Sequence, residues 1–121
     1  MASGKVLIVD DSATDLENLK SIVASGHYQV VTGSSGQDAI DLAASEKPDV
    51  ILLDIVMEQI DGYRACREIA KNPDTESIPV VFVSSKNQKA DEMWAKKQGG
   101  KALISKPYTD EQILQSIQAY A

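Results

Sequence analysis

The stretch Val50-Ile51-Leu52-Leu53-Asp54-Ile55-Val56 limits what this chain can fold into more than any other. Four apolar residues lead into one carboxylate, and apolar residues resume behind it. Such a run, rich in β-branched residues and opened by Pro48-Asp49, suits a strand buried on both faces of a parallel sheet. A helical reading has little room between Pro48 and the turn residues Asp61-Gly62. An ionised carboxylate buried without partners costs several kcal/mol or is driven to a higher pKa. Asp54 is therefore expected at the C-terminal end of the strand, where a crevice can supply a cation and water.

Length and composition exclude much. The 121 residues are read as one domain, 1–121, with no effector domain behind it. A net charge of −6 argues against nucleic acid, because phosphate backbones are bound by clustered Lys and Arg. No apolar run approaches the ~20 residues of a membrane span, and the start Met-Ala-Ser-Gly-Lys has no signal-peptide core. The single cysteine, Cys66, rules out an internal disulfide and fits a reducing cytoplasm; on a helix with no His near it, it reads as packing.

Taken in order, Val6-Leu7-Ile8-Val9 is a second apolar strand, and it also runs into acid at Asp10-Asp11. Ser12 opens a helix, with Asp15 as an imperfect capping-box partner, and Gly26 closes it. Tyr28–Thr32 reads as a more polar strand at a sheet edge. Ser35 caps a helix ending near Glu46, and the central strand follows. Met57–Gly62 is a loop, Tyr63–Lys71 a helix, Pro79–Val83 a strand running into Ser84-Ser85, and Asn87–Gln98 a helix. Ala102–Ile104 is a short strand leading to Ser105-Lys106-Pro107. A last helix is capped by Thr109 with Gln112, and Ile113, Leu114, Ile117 and Tyr120 are expected to face inward. Met93 and Trp94 are read as core or half-buried packing in preference to a partner surface, His27 as a solvated turn residue and Lys96-Lys97 as a solvated face.

Short strand–helix alternation forces parallel, right-handed crossovers, so the expected fold is a flavodoxin-like doubly wound (βα)5 sheet of order 2-1-3-4-5. Strands 1 and 3 then lie about 4.8 Å apart and deliver Asp10, Asp11 and Asp54 to one end. Carboxylates so close do not all ionise without a cation. An all-oxygen set favours a hard ion, and Mg²⁺ is the natural one. On this reading Asp11 and Asp54 ligate directly, the Val56 carbonyl adds a third contact, and Asp10 acts mainly through water. Ser84 at the end of strand 4 can hydrogen-bond an anion on Asp54, and Lys106 at the end of strand 5 can reach over the crevice as a point charge. Whether the Lys106-Pro107 bond is cis is left open by the sequence. Three acids, a hydroxyl and a lysine on one rim describe a phosphoryl-transfer site with Asp54 as in-line nucleophile.

Val9-Asp10-Asp11-Ser12, Leu53-Asp54, Met57 with Asp61-Gly62, Ser84 and Lys106-Pro107 together resemble the response-regulator receiver domains of bacterial two-component signalling, over essentially the whole chain. The resemblance implies that Asp54 accepts phosphate from a kinase phosphohistidine, that Asp10, Asp11 and the Val56 carbonyl serve Mg²⁺, and that Ser84 and Lys106 contact the phosphoryl group. It implies a phosphoacceptor rather than an enzyme, with a histidine kinase upstream and a protein target on the face of helix 4, strand 5 and helix 5. Glu92–Gly99 further resembles single-domain regulators of type IV pilus twitching motility and taxis.

Departures from the family pattern carry expectations of their own. Glu58 follows Met57 where the family usually has proline, adding negative charge near the site. Leu103 stands where the family usually carries the Tyr or Phe that swings inward on activation. Allosteric couplings are only ~1–3 kcal/mol, so one altered switch residue is enough to mute the output. Val56 and Lys86 occupy positions that in the family tune hydrolysis of the acyl phosphate; neither is an acid or amide suited to orient water, so slow autodephosphorylation is expected. The other functions to be weighed are a phosphate sink for a shared kinase, a phosphorylation-independent adaptor, and an enzyme on the same fold. A haloacid-dehalogenase-like phosphohydrolase would want an acid where Val56 stands, and an FMN binder a Ser/Thr/Gly-rich loop where Asp10-Asp11 stand.

Overall fold

The apolar runs become strands and the amphipathic segments between them become helices. A computed structural model describes residues 4–86 and 88–121. Among these, five strands are found: β1 (Lys5–Val9), β2 (Gln29–Gly33), β3 (Val50–Leu53), β4 (Val80–Ser84) and β5 (Ala102–Ser105). They alternate with α1 (Ala13–Ser25), α2 (Gly36–Glu46), α3 (Gly62–Lys71), α4 (Lys89–Lys97) and α5 (Asp110–Tyr120). All pairings are parallel, in the order β2-β1-β3-β4-β5. The more polar β2 lies at an edge, and the flavodoxin-like doubly wound architecture is the one expected.

The two-residue period of a strand explains why β3 is apolar throughout. Ile51 and Leu53 face a layer with Leu7, Val9 and Phe82, covered by Ala39 and Ala43 of α2, Ala65 and Ile69 of α3 and Ala95 of α4. Val50 and Leu52 face the opposite layer with Val6, Ile8 and Val81, covered by Leu19 and Val23 of α1 and Ile113 and Ile117 of α5. Each fully buried Leu, Ile or Phe side chain contributes about 1.5–3 kcal/mol of transfer free energy. Cys66 lies inside the first layer, where burial pushes its thiol pKa up to about 12, so it packs and does not react.

Several expectations shift. The N-terminal limit of the fourth helix, Asn87, lies outside the described residues, and the helix runs from Lys89 to Lys97. Tyr120, expected inward, is exposed at the end of α5. Met93 is 62% and Trp94 48% exposed, so neither is core: α4 is short and covers the sheet mainly through Ala95, which turns its larger apolar side chains outward. Trp94 meets Tyr63 edge-on at 6.5 Å, and Lys97 lies 5.9 Å from its ring. His27 is exposed in the turn before β2, at φ 67°.

Candidate functional site

The switch point forms because β1 pairs with β2 on one side and β3 on the other, so the connections leaving β1 and β3 diverge. Val9 is in register with Leu53, which places the next residues, Asp10 and Asp54, side by side at the strand ends. The Asp54 N–H donates to the Val9 carbonyl at 3.0 Å, holding the two chains together at that level. One carboxylate oxygen from each of Asp10, Asp11 and Asp54 lies within 4.8 Å of the others. Asp10 is 1% and Asp54 7% exposed, whereas Asp11 points into solvent.

β4 and β5 bring the remaining groups. Ser84 ends β4 opposite Ser105, and the Lys106 N–H extends the ladder by donating to the Ser84 carbonyl at 3.0 Å. Ser84 is fully buried, and its hydroxyl accepts from the Lys86 N–H at 3.3 Å. The Lys106-Pro107 peptide bond is cis. The Lys106 ammonium donates to Asp10 Oδ2 and to Asp15 Oδ2, both at 2.9 Å, and lies 3.7 Å from Asp54 Oδ2.

Asp15 fills only half of the capping role expected of it. Ser12 does cap α1 by accepting from the Asp15 N–H at 3.3 Å. The return half of the capping box is missing, because the Ser12 N–H donates instead to Asp10 Oδ1 at 2.9 Å. That leaves the Asp15 carboxylate free for Lys106. Spacing along the chain could not reveal this, since the two residues are 91 positions apart.

Burial raises the pKa of Asp54, and the neighbouring Asp10 charge adds to the rise; Lys106, the Ser84 hydroxyl and the Ile55 N–H oppose it. The Ile55 N–H donates to Asp54 Oδ1 at 2.8 Å. For Lys106, burial works against the charged form, but hydrogen bonds to Asp10 and Asp15 and the charges of Asp54 and Asp10 outweigh it, so its pKa is raised. Lys106 is thus a permanent cation shared among three carboxylates.

Both oxygens of Asp10 are engaged, one by Ser12 and one by Lys106, while Asp11 makes no hydrogen bond among the described residues. Three convergent carboxylates against one ammonium leave an excess of negative charge, and all donors are oxygen. The set fits a hard divalent cation. Val56 follows in the loop with its side chain 56% exposed, and Glu58 and Gln59 share with Asp11, Ser34 and Met57 the lining of an adjoining pocket.

A 2-1-3-4-5 sheet with acids and one lysine gathered at its switch point is the architecture of CheY-type signalling domains. The chain belongs to the response regulator receiver domain family, whose profile matches residues 6–118. It is 40% identical over 115 residues to Protein PilH of Pseudomonas aeruginosa, covering 95% of each chain. Vibrio cholerae chemotaxis protein CheY4 shares the fold with a TM-score of 0.92 at 23% identity, over 99% of this chain and all of that one. So does the receiver domain of sensor histidine kinase PA1611 from P. aeruginosa, with a magnesium ion coordinated in its active site cleft; the TM-score is 0.90 at 23% identity, over 98% of both chains.

Proposed function

We propose that this chain is a phosphoacceptor switch, in which Asp54 takes a phosphoryl group from the phosphohistidine of a kinase in a Mg²⁺-dependent reaction. The observation that carries this reading is the placement of Asp54, nearly buried, beside Asp10 and Asp11 and 3.7 Å from the Lys106 ammonium. The similarity to PilH supports an output in pilus-linked motility or taxis.

Asp11, Asp54 and the Val56 carbonyl would hold Mg²⁺, with Asp10 acting through water. The ion supplies neutralisation of the phosphoryl oxygens and favours the ionised form of Asp54. A carboxylate oxygen of Asp54 attacks phosphorus in line, the phosphorus–nitrogen bond breaks, and its electron pair leaves with the imidazole. Lys106 meets the charge on the phosphoryl oxygens, and the Ser84 hydroxyl donates to one of them, a bond to a charged group worth about 1.5–3 kcal/mol. Asp54 is consumed by the transfer and stays modified until the acyl phosphate is hydrolysed or passed on, so the chain acts as an acceptor and not as a turnover enzyme.

Incubation with Mg²⁺ and acetyl phosphate, followed by intact mass measurement, tests the reading. Wild type is expected to gain one phosphoryl group and Asp54→Asn none. No gain by wild type, or an equal gain by Asp54→Asn, would sink it. Loss of the label is expected to be slow, over minutes or longer, because the Val56 side chain has no polar atom and Lys86 turns to Asp91 at 3.9 Å. Decay within seconds in a mass or radiolabel time course would contradict that expectation.

The output surface is proposed on α4, β5 and α5, where Met93 and Trp94 are exposed and Leu103, Gln112 and Tyr120 line a groove. Leu103, partly buried against the Tyr63–Phe82 layer, has no ring to swing. That observation favours a second reading, a phosphate sink draining a shared kinase; it predicts fast transfer from that kinase with no partner that prefers the phosphorylated form.

A further inference from the structure

Lys106 is the only cation in the cleft among the described residues, and two carboxylates from different places hold it. Asp10 grips it from inside, 1% exposed; Asp15, on the first turn of α1, grips it from the rim with a side chain 42% exposed. The two contacts are equal in length, at 2.9 Å. An exposed lysine–carboxylate pair usually contributes little, but here the lysine side chain is 17% exposed and its inner partner is buried. The aim of Asp15 is also specific. Its routine role at this helix position would be to reach back to the Ser12 N–H, and Asp10 already occupies that donor.

An ammonium has three donors. Asp10 and Asp15 take two, which leaves one for the oxygens of whatever sits on Asp54. Asp10 has a competing duty, because any cation entering the acid cluster draws on the same carboxylate. Asp15 lies outside that cluster and has no such competitor. We propose that Asp15 is a positioning residue for phosphoryl transfer: from the rim of α1 it tethers the Lys106 ammonium over Asp54 when Asp10 is drawn toward a cation. The inference rests on the phosphoacceptor reading above. Asp15 touches neither phosphoryl group nor nucleophile, and acts only through Lys106.

The test has two independent readouts on Asp15→Asn, which keeps size and helix-capping geometry but removes the charge. The first needs no phosphate: acetylation of Lys106 by a small reagent at saturating Mg²⁺, where Asp10 is drawn toward the cation, quantified by peptide mass spectrometry. Loss of the tether frees the side chain to swing out toward the reagent, so labelling is expected to rise several-fold, and Asp15→Glu is expected to restore protection. The second is the rate of phosphorylation by acetyl phosphate at saturating Mg²⁺, expected to fall about tenfold in Asp15→Asn. In a Lys106→Ala background the same substitution should change nothing further, since a residue acting through Lys106 has no effect once Lys106 is gone. Labelling within about twofold of wild type, or an equal rate loss in the Lys106→Ala background, overturns the inference. A wild type that takes up no phosphate while Asp15→Asn still exposes Lys106 to labelling fails the function reading and, with it, the assigned role in transfer, while showing that the tether itself exists.

Discussion

Alanine at Gly62 is expected to damage the protein twice, in stability and in phosphate uptake. Gly62 starts α3 directly beneath the end of β3, its N–H donating to the Ile55 carbonyl at 2.8 Å. A Cβ at this position would stand 2.0 Å from the Asp54 carbonyl oxygen and 2.8 Å from the Ile55 Cα. Both obstacles are backbone, so no side chain can rotate to make room. The only relief is to move the loop that begins at Asp54. Overpacking of this kind costs about 1–3 kcal/mol and sometimes more, and the upper end is expected here. The functional loss should be larger in proportion, because a displacement of about 1 Å at a reacting group can cost about 100-fold in rate. Thermal melting and acetyl phosphate uptake measured on the same sample check both effects. Wild-type melting with wild-type uptake would show that the loop shifts freely and that Asp54 does not depend on its contact with α3.

Divalent cation is expected to stabilise the fold strongly, and the effect should depend on pH through Asp54. Burial and the Asp10 charge raise the pKa of Asp54 above its ordinary value of 3.8. Below that ordinary value the carboxyl is protonated in both folded and unfolded chains and contributes no difference. As pH rises from 3.8 through the native pKa, the unfolded chain loses its proton first, so the metal-free protein loses stability across that window. Lys106, whose pKa is raised from 10.5, stays charged throughout and adds no slope there. Mg²⁺ bound only by the folded state at about 100 times its dissociation constant adds about 2.7 kcal/mol, or on the order of 10 °C in melting temperature for a domain of this size. The gain should shrink on acidification as Asp54 takes up its proton, since ligation requires its ionised form. Asp54→Asn should be more stable than wild type in chelator, lose the pH slope and gain little from Mg²⁺. Melting curves in chelator and in Mg²⁺ from about pH 4 to about pH 7 decide this, since the window follows from the carboxylate titration. A wild type whose melting is indifferent to Mg²⁺ would remove the metal from the proposed mechanism.

Much of the frame was legible in the residues because it follows from local rules. Runs such as Val6–Val9 and Val50–Leu53 are apolar at every position, which only a strand covered on both faces requires, and they are indeed split between the two layers. Hydroxyl and Asx residues placed the helix starts within a residue or two: Ser35, Asp61 and Thr109 are the observed N-caps. The helix faces were less legible. Met93, Trp94 and Tyr120 have the spacing and hydrophobicity of core residues, yet they face solvent, because whether a helix face is covered depends on what lies across from it.

The site divides in the same way. Chain order alone specified which side chains emerge at the carboxyl ends of β1, β3, β4 and β5, because strand termini and right-handed crossovers follow from pattern and chirality. Asp10, Asp11, Asp54, Ser84 and Lys106 could therefore be grouped before any coordinate was known. Tertiary structure alone decided how their charges are shared. The Ser12 N–H could have gone to Asp15 as a capping partner; it goes instead to Asp10, two residues back, and Asp15 turns to Lys106. A hydrogen-bond donor is best served by one partner at a time, and competition between Asp10, two residues before, and Asp15, three residues after, is settled by geometry at the 3 Å scale. Sequence spacing offers both of those partners, but it carries no information about Lys106, which lies 91 positions from Asp15 and reaches it only through the fold.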